Sequence, residues 1–244
     1  MFRKLRIYLI RELIELNEKM IFNLRLIKFY KRQFDRKINL VIDVGANTGQ
    51  SIDIFSKLNP ECKIMAFEPT PKLFEKLKEK YSGNQNIHLF QMAISDKVGE
   101  KSFHENILHS SSSFEELDMN SKYLTKKSKV LGVKPNEIIK ASYPVKVTTL
   151  SDFIREHCNQ PIDILKIDTE GHEYYCLMGL FNGTVDVNIR FIQLEMHNDD
   201  MYLNTNSFSK VVELLNKNGY NIDAKLKHGF GDFDEVIFSK TAQK

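Results

Sequence analysis

Residues 168–173 read DTEGHE and gather four titratable side chains, Asp168, Glu170, His172 and Glu173, around one glycine. Crowded carboxylates repel one another, and burial raises the pKa of the least solvated, so such a cluster suits proton abstraction. A second set follows at Glu195, His197, Asn198 and Asp199. His197 is the first candidate for a general base, because an unperturbed imidazole pKa of about 6.5 suits neutral pH. His172 is the second. Asp168, Glu195 and His197 together would offer oxygen and imidazole ligands to a divalent cation, but their spacing is not diagnostic of one, and a base is the preferred reading. Glu170 and Glu173 also have a plainer role as acids in the first turn of the next helix, where the helix dipole favours them.

Such a site needs something to react with, and residues 41–50, VIDVGANTGQ, provide a cofactor loop. A short β-branched apolar run ends in Asp43 and Val44, and Gly45 and Gly49 then let the backbone turn with no Cβ in a ligand's way. A dinucleotide loop has glycine at its third position, where pyrophosphate touches the backbone; here that residue is Asn47. No Lys-Ser or Lys-Thr pair makes it a phosphate loop. A cofactor without phosphates fits better. The next strand ends before Glu68, close to the roughly twenty-residue offset at which an acid binds ribose hydroxyls. S-adenosylmethionine meets these demands: a free ribose diol for Glu68, a methionine tail for the Gly45, Asn47 and Gly49 turn, and a positive charge near Asp43.

The elements that must position these groups alternate. Strands are predicted at residues 40–44, 63–67, 87–91, 162–167 and 190–195, and helices at 50–58, 71–81, 172–181 and 207–218. Alternation of this kind implies a doubly wound α/β fold with a mostly parallel sheet. Ligands bind at the carboxyl ends of such strands, which places Asp43, Glu68, Asp96, Asp168 and Glu195 along one rim. Two short extended runs around His228-Gly229-Phe230-Gly231 predict a terminal hairpin and an antiparallel edge. Between residues 99 and 161 the pattern fails, and an inserted lid over about residues 100–160 is expected there, with its polar Ser110 to Ser113 run facing substrate.

The chain has 244 residues, enough for one substantial core, and residues 38–244 are read as one domain behind a helical arm of residues 1–37. The net charge is +3, but the arm carries 11 Lys and Arg against 4 acids, a surplus of +7 that leaves −4 for the rest. Leu5, Leu9, Leu13, Leu16, Met20, Leu24 and Ile27 recur at helical spacing. An amphipathic basic helix of this kind packs on its own domain, makes a dimer contact or lies on a membrane surface. No apolar run approaches the roughly twenty residues of a membrane span. No secretory leader is expected, and the 3 cysteines make no CxxC pair, which suits a reducing cytoplasm, with the arm allowing a peripheral place at the inner membrane face.

Six segments, VIDVGANTGQ, MAFEPTPKLFEKL, QMAISDKVGEKSF, VKVTTLSDFI, IDILKIDTEGHE and IRFIQLEMH, resemble in order and spacing the FkbM family of S-adenosylmethionine-dependent methyltransferases. The similarity spans about residues 38–197. It implies a class I methyltransferase fold, Rossmann-like, with a seven-stranded sheet and an antiparallel final hairpin. It also implies O-methylation of a hydroxyl on a sugar, glycan or natural product. Matched position by position, Asp43, Gly45, Asn47 and Gly49 fall on the methionine-binding loop, Glu68 on the ribose acid, and Ser95 and Asp96 where such folds contact adenine.

Methyl transfer is an in-line displacement whose thioether leaving group needs no proton, so the protein must align the nucleophile and deprotonate it. Asp168, His197, Glu173 and His172 are the candidates for that work. Two rivals differ in chemistry. Ser110, Tyr123 and Lys127 superficially copy the catalytic set of a short-chain dehydrogenase, but they follow no apolar strand and the loop lacks a dinucleotide's glycines. A binding protein of the same fold would hold cofactor without turnover. Nucleic acid is not an expected partner: the catalytic region is acidic, and no Asn-Pro-Pro-Tyr run is present to hold an exocyclic amine.

Overall fold

A computed structural model of the chain describes residues 22–34, 37–183, 188–197, 199–203, 207–227 and 233–240. The first part of the arm, Asn198 and the turn at His228-Gly229-Phe230-Gly231 lie outside these residues. In chain order the elements are α1 (Asn23–Gln33), β1 (Leu40–Val44), α2 (Gln50–Leu58), β2 (Lys63–Phe67), α3 (Pro71–Tyr81), β3 (Ile87–Phe90), β4 (Ala93–Ile94) and β5 (Gly99–Asn106). Then come α4 (Lys122–Leu131), β6 (Ile139–Thr148), α5 (Leu150–His157), β7 (Ile162–Ile167), α6 (Glu173–Phe181), β8 (Ile189–His197), α7 (Phe208–Lys217), β9 (Tyr220–Lys227) and β10 (Phe233–Lys240).

Seven strands form the main sheet in the order β3-β2-β1-β7-β8-β10-β9. The first five are parallel, and β10 runs antiparallel to both its neighbours, so the last hairpin is the antiparallel edge expected from the sequence. The strand order reverses between β1 and β7, the switch point where α/β sheets bind ligands. Central strands buried on both faces must be apolar throughout, and β1 and β7 are fully buried along their lengths. Leu40, Ile42 and Val44 face α5, α6 and α7, whereas Val41 faces α1, α2 and α3. Asp43 and Lys166 are charged exceptions on that second face.

The described part of the arm, residues 22–34, packs on this second face. Phe22, Leu26 and Tyr30, spaced four apart, are buried against β1, β8 and α2, while Lys31 and Arg32 stay exposed. Each buried side chain of this size contributes roughly 1.5 to 3 kcal/mol, so this helix is docked on the domain.

Where periodicity fails, the chain builds a second sheet of three strands, β4-β6-β5. The pattern was unreadable because β5 is largely exposed and lacks alternation. A separate apolar cluster of Leu108, Leu117, Leu124, Leu131, Met201 and Tyr202 joins this insertion to the segment after β8. Asp200 anchors the junction: its carboxylate accepts from Ser121 Oγ at 2.7 Å and from the backbone N–H groups of Tyr123 and Lys122 at 3.2 and 3.3 Å. It therefore caps α4 from a distant part of the chain. The Ser121 hydrogen bond and those of the helix start hold its carboxyl below the usual range.

That depressed pKa fixes the sign of its pH effect. The cap is present above the ordinary value of 3.8 and is lost as pH falls through the folded value. Asp200→Ala should expose α4 to proteolysis and raise its amide exchange while the main sheet keeps its protection; unchanged exchange across residues 122–125 would show the cap to be idle.

Candidate active site

The turn after β1 is tied to β2, since the Gly45 and Ala46 N–H groups both donate to the Phe67 carbonyl, at 3.1 and 2.9 Å. Gly45 has φ +88°, and a Cβ there would stand 1.9 Å from the carbonyl oxygen of Asp168. The turns after β1 and β7 thus touch backbone to backbone, which only glycine permits. Asn47 takes φ 50°, a left-handed conformation that asparagine tolerates. Its N–H donates to Glu68 Oε2 at 2.9 Å, and the Thr70 N–H donates to Glu68 Oε1 at 2.8 Å. The Thr70 side chain bonds the same carboxylate. Burial pushes the Glu68 carboxyl up to about 7 against these hydrogen bonds.

A cleft of about 570 Å³, partly open to solvent, lies at this rim. Gly45, Asn47 and Glu68 form one side, and Asp168, Thr169 and Glu170 the other. His109, Ser112 and Phe114 of the insertion close over it. Asn47 Oδ1 is buried with no hydrogen-bond partner among the described residues, an acceptor left for a ligand donor. An amino-acid tail beside the turn and a diol beside Glu68 fit these acceptors, so the residues present suit S-adenosylmethionine.

The structure separates the sequence candidates. Asp168 lines the cleft, and its Oδ2 lies 2.9 Å from the Lys166 ammonium. Asp43 is expected near the cofactor's positive charge; instead it is fully buried beneath the turn, 3.7 Å from Lys166, and does not line the cleft. Burial pushes its carboxyl up, and Lys166 offsets part of that. Gly49 starts α2, with its carbonyl accepting from Tyr81 Oη at 2.9 Å.

His172 and Glu173 face inward. Glu173 Oε1 accepts from the Thr169 N–H at 2.9 Å, from Thr169 Oγ1 at 3.1 Å and from the Gly171 N–H at 3.2 Å, so it braces the loop that carries Asp168. The His172 ring is fully buried, stacked on Tyr175 and 2.6 Å from Glu115 Oε1 through Nδ1. Its Nε2 lies 2.9 Å from Ser95 Oγ. Burial holds its pKa down despite Glu115. A ring so enclosed positions the insertion rather than meeting an acceptor. Ser95 also donates to Asp96 Oδ1 at 3.1 Å, and neither residue lines the cleft, whose wall there is Ala93 and Ile94.

His197 ends β8, but its side chain lies outside the described part of the structure. The cation set of Asp168, Glu195 and His197 takes a different form among the described residues: carboxylate oxygens of Asp168, Glu170 and Glu195 all lie within 4.8 Å of one another. They could hold a divalent cation. Tyr123 and Lys127, the dehydrogenase pair, lie on α4 and do not line the cleft.

Lys166 and Phe114 are not among the sequence candidates, and His109 approaches the site only where the insertion folds over the rim, as it does here. A lone cation inside the apolar ILKI run was a signal for Lys166. Phe114 had none without the fold of the insertion.

Residues 43–222 match the family model described as the methyltransferase FkbM domain. The chain belongs to the FkbM methyltransferase family. Two curated relatives match most of it. The 2-O-methyltransferase NoeI of Sinorhizobium fredii is 24% identical over 72% of this chain and 70% of its own length. The 31-O-demethyl-FK506 methyltransferase FkbM of Streptomyces tacrolimicus is 28% identical over 77% of this chain and 74% of its own. Among solved structures, magnesium protoporphyrin IX methyltransferase (ChlM) from Synechocystis PCC 6803, solved with bound SAM, has the same fold at a TM-score of 0.52 and 11% identity, over 93% of this chain and 82% of that one. This FkbM protein is accordingly an S-adenosylmethionine-dependent methyltransferase with the class I fold expected from its sequence.

Glu68 gives the site a pH dependence. A raised folded pKa means that its contribution to stability is present below its ordinary 4.5 and declines as pH rises through about 7. Over the same upper range the ionised carboxylate becomes the better acceptor for a diol. Calorimetric affinity for S-adenosylhomocysteine should rise between about pH 6 and 8 and be flat in Glu68→Gln, and Glu68→Ala should cost about 1.5 to 3 kcal/mol of it. Unchanged affinity in both variants would remove Glu68 from cofactor binding.

Proposed function

We propose that the protein methylates a hydroxyl oxygen of a sugar, glycan or natural-product acceptor, with Asp168 taking the hydroxyl proton. The observation that carries this reading is the meeting of the Gly45 turn, Glu68 and Asp168 in one cleft under the roof of His109, Ser112 and Phe114. The two curated relatives support the choice of oxygen, since both are named for it. A roof of an imidazole, a hydroxyl and an aromatic face suits a polyhydroxylated ring, which presents both polar edges and apolar faces.

S-adenosylmethionine supplies the electrophilic methyl group when bound. The chain's own residues do the rest. Gly45, Asn47 and Glu68 hold the cofactor, and Phe114 and Ile94 exclude water from part of the cleft. Asp168 has one oxygen committed to Lys166, leaving Oδ1 to accept a proton. Alignment of this kind contributes at best roughly 7 to 11 kcal/mol, and a general base about two to four orders of magnitude in rate. His197, at the end of β8, is the second candidate for the base.

S-adenosylhomocysteine release should appear with some member of a panel of glycosides, nucleotide sugars and polyketide alcohols. Asp168→Asn should lower that turnover about a hundredfold or more while leaving S-adenosylhomocysteine affinity within a few fold. A larger loss in His197→Ala than in Asp168→Asn would move the base to His197. Turnover abolished by EDTA and restored by magnesium would replace the general-base route with a cation held by Asp168, Glu170 and Glu195, and cofactor binding without release on any acceptor would favour a binding role.

A further inference from the structure

A row of buried polar side chains crosses the face of the sheet that α1 covers. Asp43 on β1 is the register partner of Lys166 on β7, which is the register partner of Gln193 on β8. Glu235 on β10 stands diagonally beside Gln193, two residues from its register partner Ile237. All four are less than one-tenth exposed. Tyr30, projecting from α1, completes the row: its hydroxyl donates to Gln193 Oε1 at 2.6 Å, and Gln193 Nε2 donates to Glu235 Oε1.

The polarity of this chain is fixed. A carboxylate only accepts, so the amide nitrogen of Gln193 must face Glu235, which leaves its oxygen to the Tyr30 hydroxyl. At the other end, the Lys166 ammonium is 2.9 Å from Asp168 Oδ2 and 3.7 Å from Asp43 Oδ1. Burial alone would push this ammonium toward neutrality, and Asp168, Asp43 and Glu235 more than reverse that. A charged lysine with three donors and several carboxylate neighbours has a geometry set by all of them, and the neighbour in the cleft is Asp168.

We propose that Lys166 is a positioning residue for methyl transfer, holding the Asp168 carboxylate at the cleft, and that Tyr30 of the arm sets Lys166 from the far side through Gln193 and Glu235. The docked arm helix is on this account a working part of the active site. The chemical purpose assigned to Asp168 rests on the general-base reading above; the mechanical coupling does not.

The test uses the full-length protein with ¹⁵N-lysine and ¹³C-aspartate labels, with and without S-adenosylhomocysteine. The sheltered Lys166 ammonium gives a slowly exchanging ¹⁵N–¹H signal, assigned by its loss in Lys166→Met, and Asp168 a carboxylate signal assigned by its loss in Asp168→Asn. Tyr30→Phe removes one hydroxyl and keeps the ring, so the fold and the affinity for S-adenosylhomocysteine should hold within about twofold, which thermal melting and calorimetry check. In that variant both the Lys166 and the Asp168 signals should shift. Should Lys166→Met fail to fold, Lys166→Arg supplies the assignment. With any acceptor found in the panel, Tyr30→Phe should lower kcat about tenfold at unchanged KM, the scale of a misplaced catalytic group. An Asp168 signal unmoved by Tyr30→Phe overturns the coupling. Shifted signals together with full turnover in Asp168→Asn would keep the coupling and discard the general-base reading instead.

Discussion

One buried ammonium holds the centre of this molecule together. Lys166 lies on the strand at the switch point of the sheet, within 4 Å of carboxylates from two strands or their ends. Taking one partner from such a set leaves an uncompensated charge inside the protein, a loss of about 3 to 5 kcal/mol in comparable cases. An apolar residue in its place would leave the buried Asp43 carboxylate beside Asp168 without that ammonium. The charges are thus mutually obligatory, and the fold cannot relax one without disturbing the strand that carries Asp168. Buried ionic groups add little stability over a well-packed apolar core, so their retention here fits a site that needs one carboxylate held in one place.

The cleft is built in two layers around that centre. The lower layer is sheet: the Gly45 turn pressed against the Asp168 carbonyl, with Glu68 beside it. The upper layer is the insertion, which reaches down through Ser113 Oγ to the Thr169 carbonyl at 3.2 Å and through Glu115 to His172 at 2.6 Å. These contacts bind the roof to the same loop that bears Asp168 and Glu170. Glu170 itself takes φ 55° in that loop, an uncommon conformation for its type and one that concentrates at functional sites.

Much of this was legible in residue order. The strands at 40–44, 63–67 and 162–167 and the helices at 50–58 and 71–81 coincide with β1, β2, β7, α2 and α3, because buried parallel strands are continuous apolar runs and the helices carry clean stripes. The glycine turn and Glu68 were visible through spacing. The direction in which a side chain faces was not: Asp43, His172 and Glu173 share sequence motifs with cleft residues yet turn into the protein, where Lys166, Glu115 and Thr169 meet them. The insertion stayed opaque for a different reason. Its strand β5 is an exposed edge and its core is shared with Met201 and Tyr202, nearly a hundred positions after β5, so no local window contains the pattern.

The cap that Asp200 places on α4 makes the roof a composite of two stretches of chain. Leu117 bridges to Tyr202, and the Asp118 N–H donates to the Met201 carbonyl at 2.9 Å, so the segment after β8 is woven into the insertion. On the proposed reading, in which this roof faces the acceptor, acceptor choice rests on both pieces together. Loss of Asp200 would strip α4 of its cap, so the insertion depends on residues 199–203 for its own order. For anyone grafting this roof onto a relative, the smallest unit that keeps its own contacts is the insertion and that short segment moved together.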